Sequence, residues 1–268
     1  MPAAVSVAVS APVSAVVSAR VSARVHDTPT NLPALILAAG RGERLRPLTD
    51  TMPKPLLRVA GKPMLEWHLL ALAAAGVRRV VINTAWLEDQ FPAALGDGSR
   101  FGLVIHWSHE GRDHGGALET AGGIAKALPL LGSCFWLVSG DIVAPGFSFD
   151  AGCARRFEQG SDDAHLWLLP NPDFNAAGDF SLQHGRVQRP PSGQPRPLTY
   201  ANLALVRHTL VAGIAAGQHA ALGPCLFASA AAGRLGGALL HSPWHNVGTP
   251  AQLQAADTAL RASACHSP

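Results

Sequence analysis

The sequence predicts an α/β protein: a Rossmann-like, three-layer fold around a mainly parallel, mixed central sheet. Three observations carry that expectation. Short apolar runs of strand length alternate with longer helical segments, the order of βαβ units, which implies parallel pairing. The first apolar run, Leu35-Ile36-Leu37, passes directly into a turn of small residues, Ala38-Ala39-Gly40-Arg41-Gly42. The fourth, Phe135–Ser139, ends in Gly140-Asp141. Ligands of such sheets bind beyond the carboxyl ends of the strands, so the glycine turn and Asp141 are expected to face one crevice.

The elements follow in order along the chain. Ala34–Ala39 reads as the first strand. Pro63–Ala75 reads as a helix, with proline in its first turn and Gly76 at its close. Arg78–Asn83 is the next strand, Leu87–Leu95 a short helix and Leu103–Ser108 a third strand. Leu118–Leu128 is a helix opened by Glu119-Thr120, with Gly122-Gly123 in its first turn. Beyond Asp150 the pattern loosens. His165–Pro170 and Tyr200–Val206 read as strands, Gln188–Pro197 as a Pro-rich loop, and Pro250–Ala262 as the last helix.

Composition narrows the function. With 48% hydrophobic residues a sizeable core can be buried. Net charge is only +3, and no Lys/Arg cluster is interleaved with aromatics, which argues against a nucleic-acid partner. Cys134, Cys153, Cys225 and Cys265 are scattered without a CxxC, which fits a reducing cytoplasm and argues against a disulfide framework or zinc site. Residues 1–33 form a Val-Ser-Ala low-complexity tract interrupted by Pro12, Arg20 and Arg24. It is a poor secretory signal and a poor membrane span, and it reads as a disordered extension ahead of a single domain over 34–264.

The glycine turn carries the chemistry. Small residues after a strand let a backbone approach a phosphate closely. Arg41, Arg44, Arg46 and Lys54 offer positive charge for the same anion, and Lys54 is one of only three lysines. No GxxxxGK[ST] is present, and Gly40-Arg41-Gly42-Glu43-Arg44-Leu45 lacks the third glycine of a dinucleotide fingerprint.

What fits instead is LAAGxGxRLxPLTxxxPKPLxxVxGxPM, matched from Leu37 to Met64. On this stretch, with SGDI and WHNVGTPAQL, the chain resembles the sugar-1-phosphate nucleotidyltransferases across about residues 34–262. The runs Leu95–Phe101 (LGDGSRF) and Leu118–Leu131 are similar to the subgroup that uridylates N-acetylmuramate-1-phosphate. The resemblance implies a nucleotidyltransferase fold and attack of a sugar-1-phosphate oxygen on the α-phosphorus of an NTP, with UTP and N-acetylmuramate-1-phosphate as expected substrates. It implies a cytoplasmic monomer or small homo-oligomer that uses Mg²⁺ and has no membrane partner. It further implies that Leu37, Ala38, Ala39, Gly40, Arg41, Gly42, Asn83, Glu119 and Gly122 contact the nucleotide. Trp86 would line the base pocket or simply pack. Arg44 would neutralise the β/γ end and Lys54 would stand at the α-phosphate. Asp141 would hold the metal ion, and Glu119, Asp179 and Asn202 would face the sugar.

The chain departs from the family pattern in ways that bear on this assignment. The C-terminal motif WxDVGTP has Asn246 where the family's second metal-binding aspartate stands. An amide oxygen can coordinate Mg²⁺ but brings no charge. Neighbouring His245, if it took part, would favour Mn²⁺ or another transition metal. Arg41 stands where close relatives often carry lysine, Ala121 replaces the first of a glycine triplet, and Asn202 occupies a position where glycine is expected. The loop Ser108–Ala117 is longer than in the muramate enzymes, and the Asp-rich stretch after Gly-Asp is replaced by Ile142–Gly146. Two alternatives therefore stand beside uridylyl transfer: guanylyl transfer to mannose-1-phosphate, and a catalytically weakened nucleotide-binding relative with a regulatory role.

Overall fold

The computed structural model describes residues 32–264. In chain order the strands and helices are β1 (Ala34–Leu37), α1 (Leu48–Thr51), β2 (Arg58–Val59), β3 (Lys62–Pro63), α2 (Met64–Ala74), β4 (Arg79–Thr84), α3 (Gln90–Leu95), β5 (Val104–His109), α4 (Glu110–His114), α5 (Glu119–Leu131) and β6 (Cys134–Ser139). They continue as β7 (Ile142–Val143), α6 (Ala151–Gln159), β8 (Ala164–Pro170), β9 (Ser181–Gln183), β10 (Arg186–Gln188), β11 (Leu198–Arg207), α7 (Leu222–Ala231), β12 (Leu235–Leu239), β13 (His245–Asn246) and α8 (Pro250–Ala264).

Nine strands form one mixed sheet in the order β5-β4-β1-β6-β11-β8-β12-β10-β9. β5, β4, β1 and β6 are parallel, β11 runs against β6 and β8, and β12 returns parallel to β8. Apolar residues leave the sheet on both faces. One face packs α2 and α6 over Ile36, Val80, Ile82, Trp136 and Val138. The other packs α5 and α7 over Leu35, Val81, Phe135 and Leu137. Alternate residues of one strand thus supply two cores, which is why β1 and β6 read as unbroken apolar runs.

The chain leaves β1 toward β4 and β5 and later returns to β1's other side as β6. That switch point opens a crevice beyond Leu37 and Ser139, which are register partners. Gly140 N–H donates to Leu37 O at 2.8 Å, so the segments after β1 and β6 leave the sheet side by side. A smaller apolar cluster seals this end. Leu45, Val59, Met64, Val143, Val247, Ala256 and Leu260 join the turn after the glycine loop to β7, β13 and α8.

Several elements were not legible in the sequence. α7 (LGPCLFASAA) carries Gly223 and Pro224 in its first turn, where they read as a loop. β12 (LGGAL) has two glycines, yet a Cβ on Gly237 would stand 2.5 Å from the Val187 side chain and 2.9 Å from Leu166 O. The close passage of β10 demands the absence of a side chain there. α6 is set by Asp150, whose carboxylate accepts from Cys153 N–H as an N-cap. The domain boundary also moves. Leu32 is buried in the main core and Pro33 O accepts from Trp136 N–H, so the packed chain starts before residue 34. The rest of the low-complexity tract lies outside the described residues. Among the described residues no helix is long and apolar enough to cross a membrane.

His68 ties α2 to the crevice. Its Nε2–H donates to Ile142 O at 2.8 Å from a fully enclosed position, and burial pulls its pKa down to about 4. The neutral ring is stable above the unfolded value near 6.5, and that contribution is lost as pH falls toward 4. The expected outcome is about 2 kcal/mol less stability at pH 5 than at pH 7 from this group, read from urea midpoints. His68→Gln, which keeps a donor, should flatten that dependence.

Candidate active site

The crevice is a cleft of about 440 Å³, with the glycine loop, Arg44, Lys54, Asp141 and Glu119 on its walls. The expectation that the loop and Asp141 face one crevice holds. Gly42 adopts φ +69°, a left-handed conformation suited to glycine, and Thr49 Oγ1–H donates to its carbonyl. A Cβ on Gly40 would touch no protein atom, so that position opens onto free space. Among the described residues the N–H groups of Gly40, Arg41 and Gly42 donate to no backbone acceptor.

The cations divide into two sets. Lys54 is buried, 7% exposed, and its Nζ pairs with Asp141 Oδ2 at 2.8 Å. Arg44 lines the cleft and lies against Gly248, where a Cβ would stand 3.0 Å from its Nη2. Gly248 N–H donates to Gln252 Oε1, fixing the C-terminal loop beneath the arginine. Arg41 and Arg46 are turned elsewhere, a correction to the expectation that they share the anion. Arg41 donates to Thr49 O and Asp50 Oδ1, both at 2.7 Å, with its guanidinium 3.7 Å from the Trp86 ring centre. Arg46 pairs with the same Asp50 oxygen. Hydrogen bonding from Arg41 holds the Asp50 carboxyl below its ordinary range. Trp86 packs under Arg41 and donates to Thr49 O, so it braces the loop.

A buried polar chain crosses the floor of the cleft. Ala38 N–H donates to Asn83 Oδ1 at 2.8 Å, and Asn83 Nδ2–H donates to Glu110 Oε1 at 2.6 Å. Leu118 N–H donates to Glu110 Oε2 at 2.8 Å. Asn83 therefore spends both its amide oxygen and its amide nitrogen on partners within the protein. Glu110, which opens α4 inside the segment read from sequence only as a lengthened loop, is fully enclosed, and burial raises its pKa despite both donors. The available signal was a lone acid directly after an apolar strand.

The start of α5 is strained. Glu119 has φ +60°, held by Ala220 N–H on Leu118 O and by the N–H groups of Ala121 and Gly122 on Ala220 O. Such a conformation costs on the order of 1 kcal/mol in a non-glycine residue and turns Glu119 to the cleft wall. Gly122 is displaced from its expected role. Its N–H is spent on Ala220, and a Cβ there would stand 2.2 Å from Gln218 O, so it packs behind the cleft.

A second cavity of about 260 Å³ continues from the first, sharing Leu37, Thr120 and Ser139. Asp179 and Asn202 line it. Asp179 accepts from Tyr200 N–H and from Asn175 Nδ2–H. Asn202 sits at a bulge of β11 with φ +60°, which explains asparagine where glycine is expected, since asparagine tolerates that region.

The β7–β13 pair sets Asn246 opposite Ile142 and Val247 N–H on Asp141 O, and the Asn246 amide lies against Gly248, where a Cβ would stand 3.3 Å from its Nδ2. Strand alternation sends His245 to the other face. Among the described residues no three His, Cys, Asp or Glu side chains are grouped to hold a metal ion. The donors that are present are hard oxygens.

Gly123 is where the polar chain meets α5. A Cβ there would lie 2.5 Å from Glu110 Oε1 and 2.7 Å from Asn83 Nδ2. Gly123→Ala is expected to lower the melting temperature by about 5 °C or more, measured by calorimetry, because it breaks hydrogen bonds to a buried carboxylate.

Comparison with known proteins agrees with this geometry. A family model described as nucleotidyl transferase matches residues 33–168. An N-acetylmuramate alpha-1-phosphate uridylyltransferase of Neisseria meningitidis serogroup B is 46% identical over 83% of this chain and 96% of its own length. One from Caulobacter vibrioides is 34% identical over 85% and 96%. A crystal structure assigned as a glucose-1-phosphate thymidylyltransferase from Bacillus anthracis superposes with TM-score 0.72 over 85% of this chain and 95% of that one, at 21% identity, a likeness of fold. A glycine loop at the switch point, a buried lysine on an aspartate, and relatives matched almost end to end converge: the chain belongs to the nucleotidyl transferase family and is a sugar-1-phosphate nucleotidyltransferase.

Proposed function

We propose that the chain transfers a uridylyl group from UTP to N-acetylmuramate-1-phosphate, releasing pyrophosphate. The observation that carries this reading is the pair of joined cavities. One end is cationic, with Arg44 and Lys54. The other sets Asp179 and Asn202 against an apolar wall of Leu222, Leu226 and Phe227. A plain hexose would leave hydroxyls unpaired on that wall. A sugar bearing N-acetyl and lactyl groups has apolar surface to place there. The uridylyltransferase relatives support the same choice.

The acceptor phosphate oxygen is already anionic, so proton abstraction is not the difficulty. It attacks the α-phosphorus, the bond to the β-bridging oxygen breaks, and pyrophosphate leaves with that electron pair. The task is to hold two polyanions in line. The free N–H groups of Gly40–Gly42 and the Arg44 guanidinium receive the triphosphate, and Lys54 supplies charge at the α-phosphate. Asp141, joined by the Asn246 amide from the neighbouring β13, would hold a divalent cation, Mg²⁺ or Mn²⁺, which would supply further charge neutralisation when bound. Glu119, Asp179 and Asn202 orient the sugar.

Pyrophosphate release with a panel of nucleotides and sugar-1-phosphates tests the reading. Release restricted to UTP with N-acetylmuramate-1-phosphate is the expected result. No release from any pair, with UTP still bound, would favour the regulatory reading that the uncharged Asn246 suggests. Lys54→Ala is expected to lower kcat/KM by about two to three orders of magnitude with the fold retained. Asn246→Asp is expected to lower the Mg²⁺ concentration needed for half-maximal rate; an unchanged requirement would remove Asn246 from the cation's surroundings.

A further inference from the structure

Lys54 and Asp141 have two roles that compete. In the structure the Lys54 ammonium sits on Asp141 at 2.8 Å, and no other acid among the described residues pairs with it. The lysine has little freedom. Pro53 and Pro55 flank it, and its stem lies under Gly42, where a Cβ would come within 3.0 Å of the Lys54 Cβ. At 7% exposure the ammonium cannot simply retire into water, and a buried charge needs a counterion. Asp141 is that counterion, and it is held from behind by Val247 N–H on its carbonyl.

A divalent cation on the same carboxylate would meet the ammonium at close range in a partly enclosed cleft, where repulsion is poorly screened. Sharing Asp141 places two positive charges on one carboxylate, a repulsion that is relieved when Lys54 finds another anion. The one the cleft is built to receive is a triphosphate, whose α-phosphate lies within the reading given above. We propose that Lys54 occupies the cation's place on Asp141 in the free protein, so that the divalent cation and the nucleoside triphosphate bind as one coupled event. The free protein is then a poor cation binder. The triphosphate draws Lys54 across, exposes Asp141, and in the same movement sets the ammonium at the phosphate it serves. By linkage each ligand raises the other's affinity by the same factor.

This inference rests on the reading of Asp141 as the cation's ligand but not on which base or sugar is used. Its test needs no turnover. Mn²⁺ is titrated into the full-length protein without nucleotide, with free Mn²⁺ followed by electron paramagnetic resonance. Wild type, Lys54→Met, Lys54→Gln, Asp141→Asn and the double variant Lys54→Met/Asp141→Asn are compared, with Arg44→Met as a control for loss of one charge in the same cleft. The expected result is Mn²⁺ affinity raised about tenfold or more in both lysine variants, abolished in the double variant, and raised much less in Arg44→Met. Lys54→Gln removes the charge but keeps a polar end in the cleft, so it reports even if the methionine variant does not fold. Mn²⁺ affinity unchanged by the lysine substitutions, or raised equally by Arg44→Met, would overturn the proposal. Uridylyl transfer could persist beside that result, which separates this failure from failure of the functional reading.

Discussion

The constraint on which the site depends is the burial of Glu110. A carboxylate without access to water is unfavourable by several kcal/mol unless its oxygens are satisfied. Here one oxygen accepts from Asn83 and the other from Leu118 N–H, while Asn83 in turn accepts from Ala38 N–H. Four segments meet at this point: the ends of β1, β4 and β5 and the start of α5. Hydrophobic packing can bring parallel strands together but leaves their carboxyl ends free to splay. The polar chain removes that freedom, and so fixes the glycine loop relative to the strained Glu119.

Much of this was legible in the sequence, for physical reasons. β1, β4 and β6 are covered on both faces, and their apolar runs announce them. The glycine loop and Asp141 lie at strand ends, where the α/β rule places ligands. Glycine misled elsewhere, because it marks a loop in one setting and a close approach in another. Gly237 is glycine because β10 passes over it, and Gly122 because the loop at Gln218 does. Charge misled as well. Arg41 sits in the middle of the glycine turn in sequence, yet its guanidinium is consumed by Asp50, Thr49 O and the face of Trp86. Planar stacking with two directed donors is a task for arginine, which makes sense of its presence where relatives carry lysine. Glu110 gave only the weak signal of an acid after a strand, because its partners, Asn83 and the Leu118 N–H, are set by the fold rather than by a motif.

The second feature of the site is its division between distant parts of the chain. Arg44 and Lys54 come from the first strand's loop, Asp141 from the middle, and Gly248 and Asn246 from near the last helix. What joins them is a small apolar cluster in which Leu45, Val143, Val247 and the Ala256–Leu260 face of α8 share one interior. The cluster stands apart from the two large cores. Its role is alignment: it presses the arginine turn onto Gly248 and carries β13 against β7.

That arrangement has a consequence for synthesis. During translation β1 through β6 emerge early and can pair with one another while much of the chain is still unmade. Yet the interior shared by the arginine turn, β7 and β13 lacks Ala256 and Leu260 until α8 leaves the ribosome. A nascent chain would carry a sheet and a glycine loop without an aligned site. A chain cut short before α8 would hold most of its core while lacking the two contacts that complete the alignment of its charges.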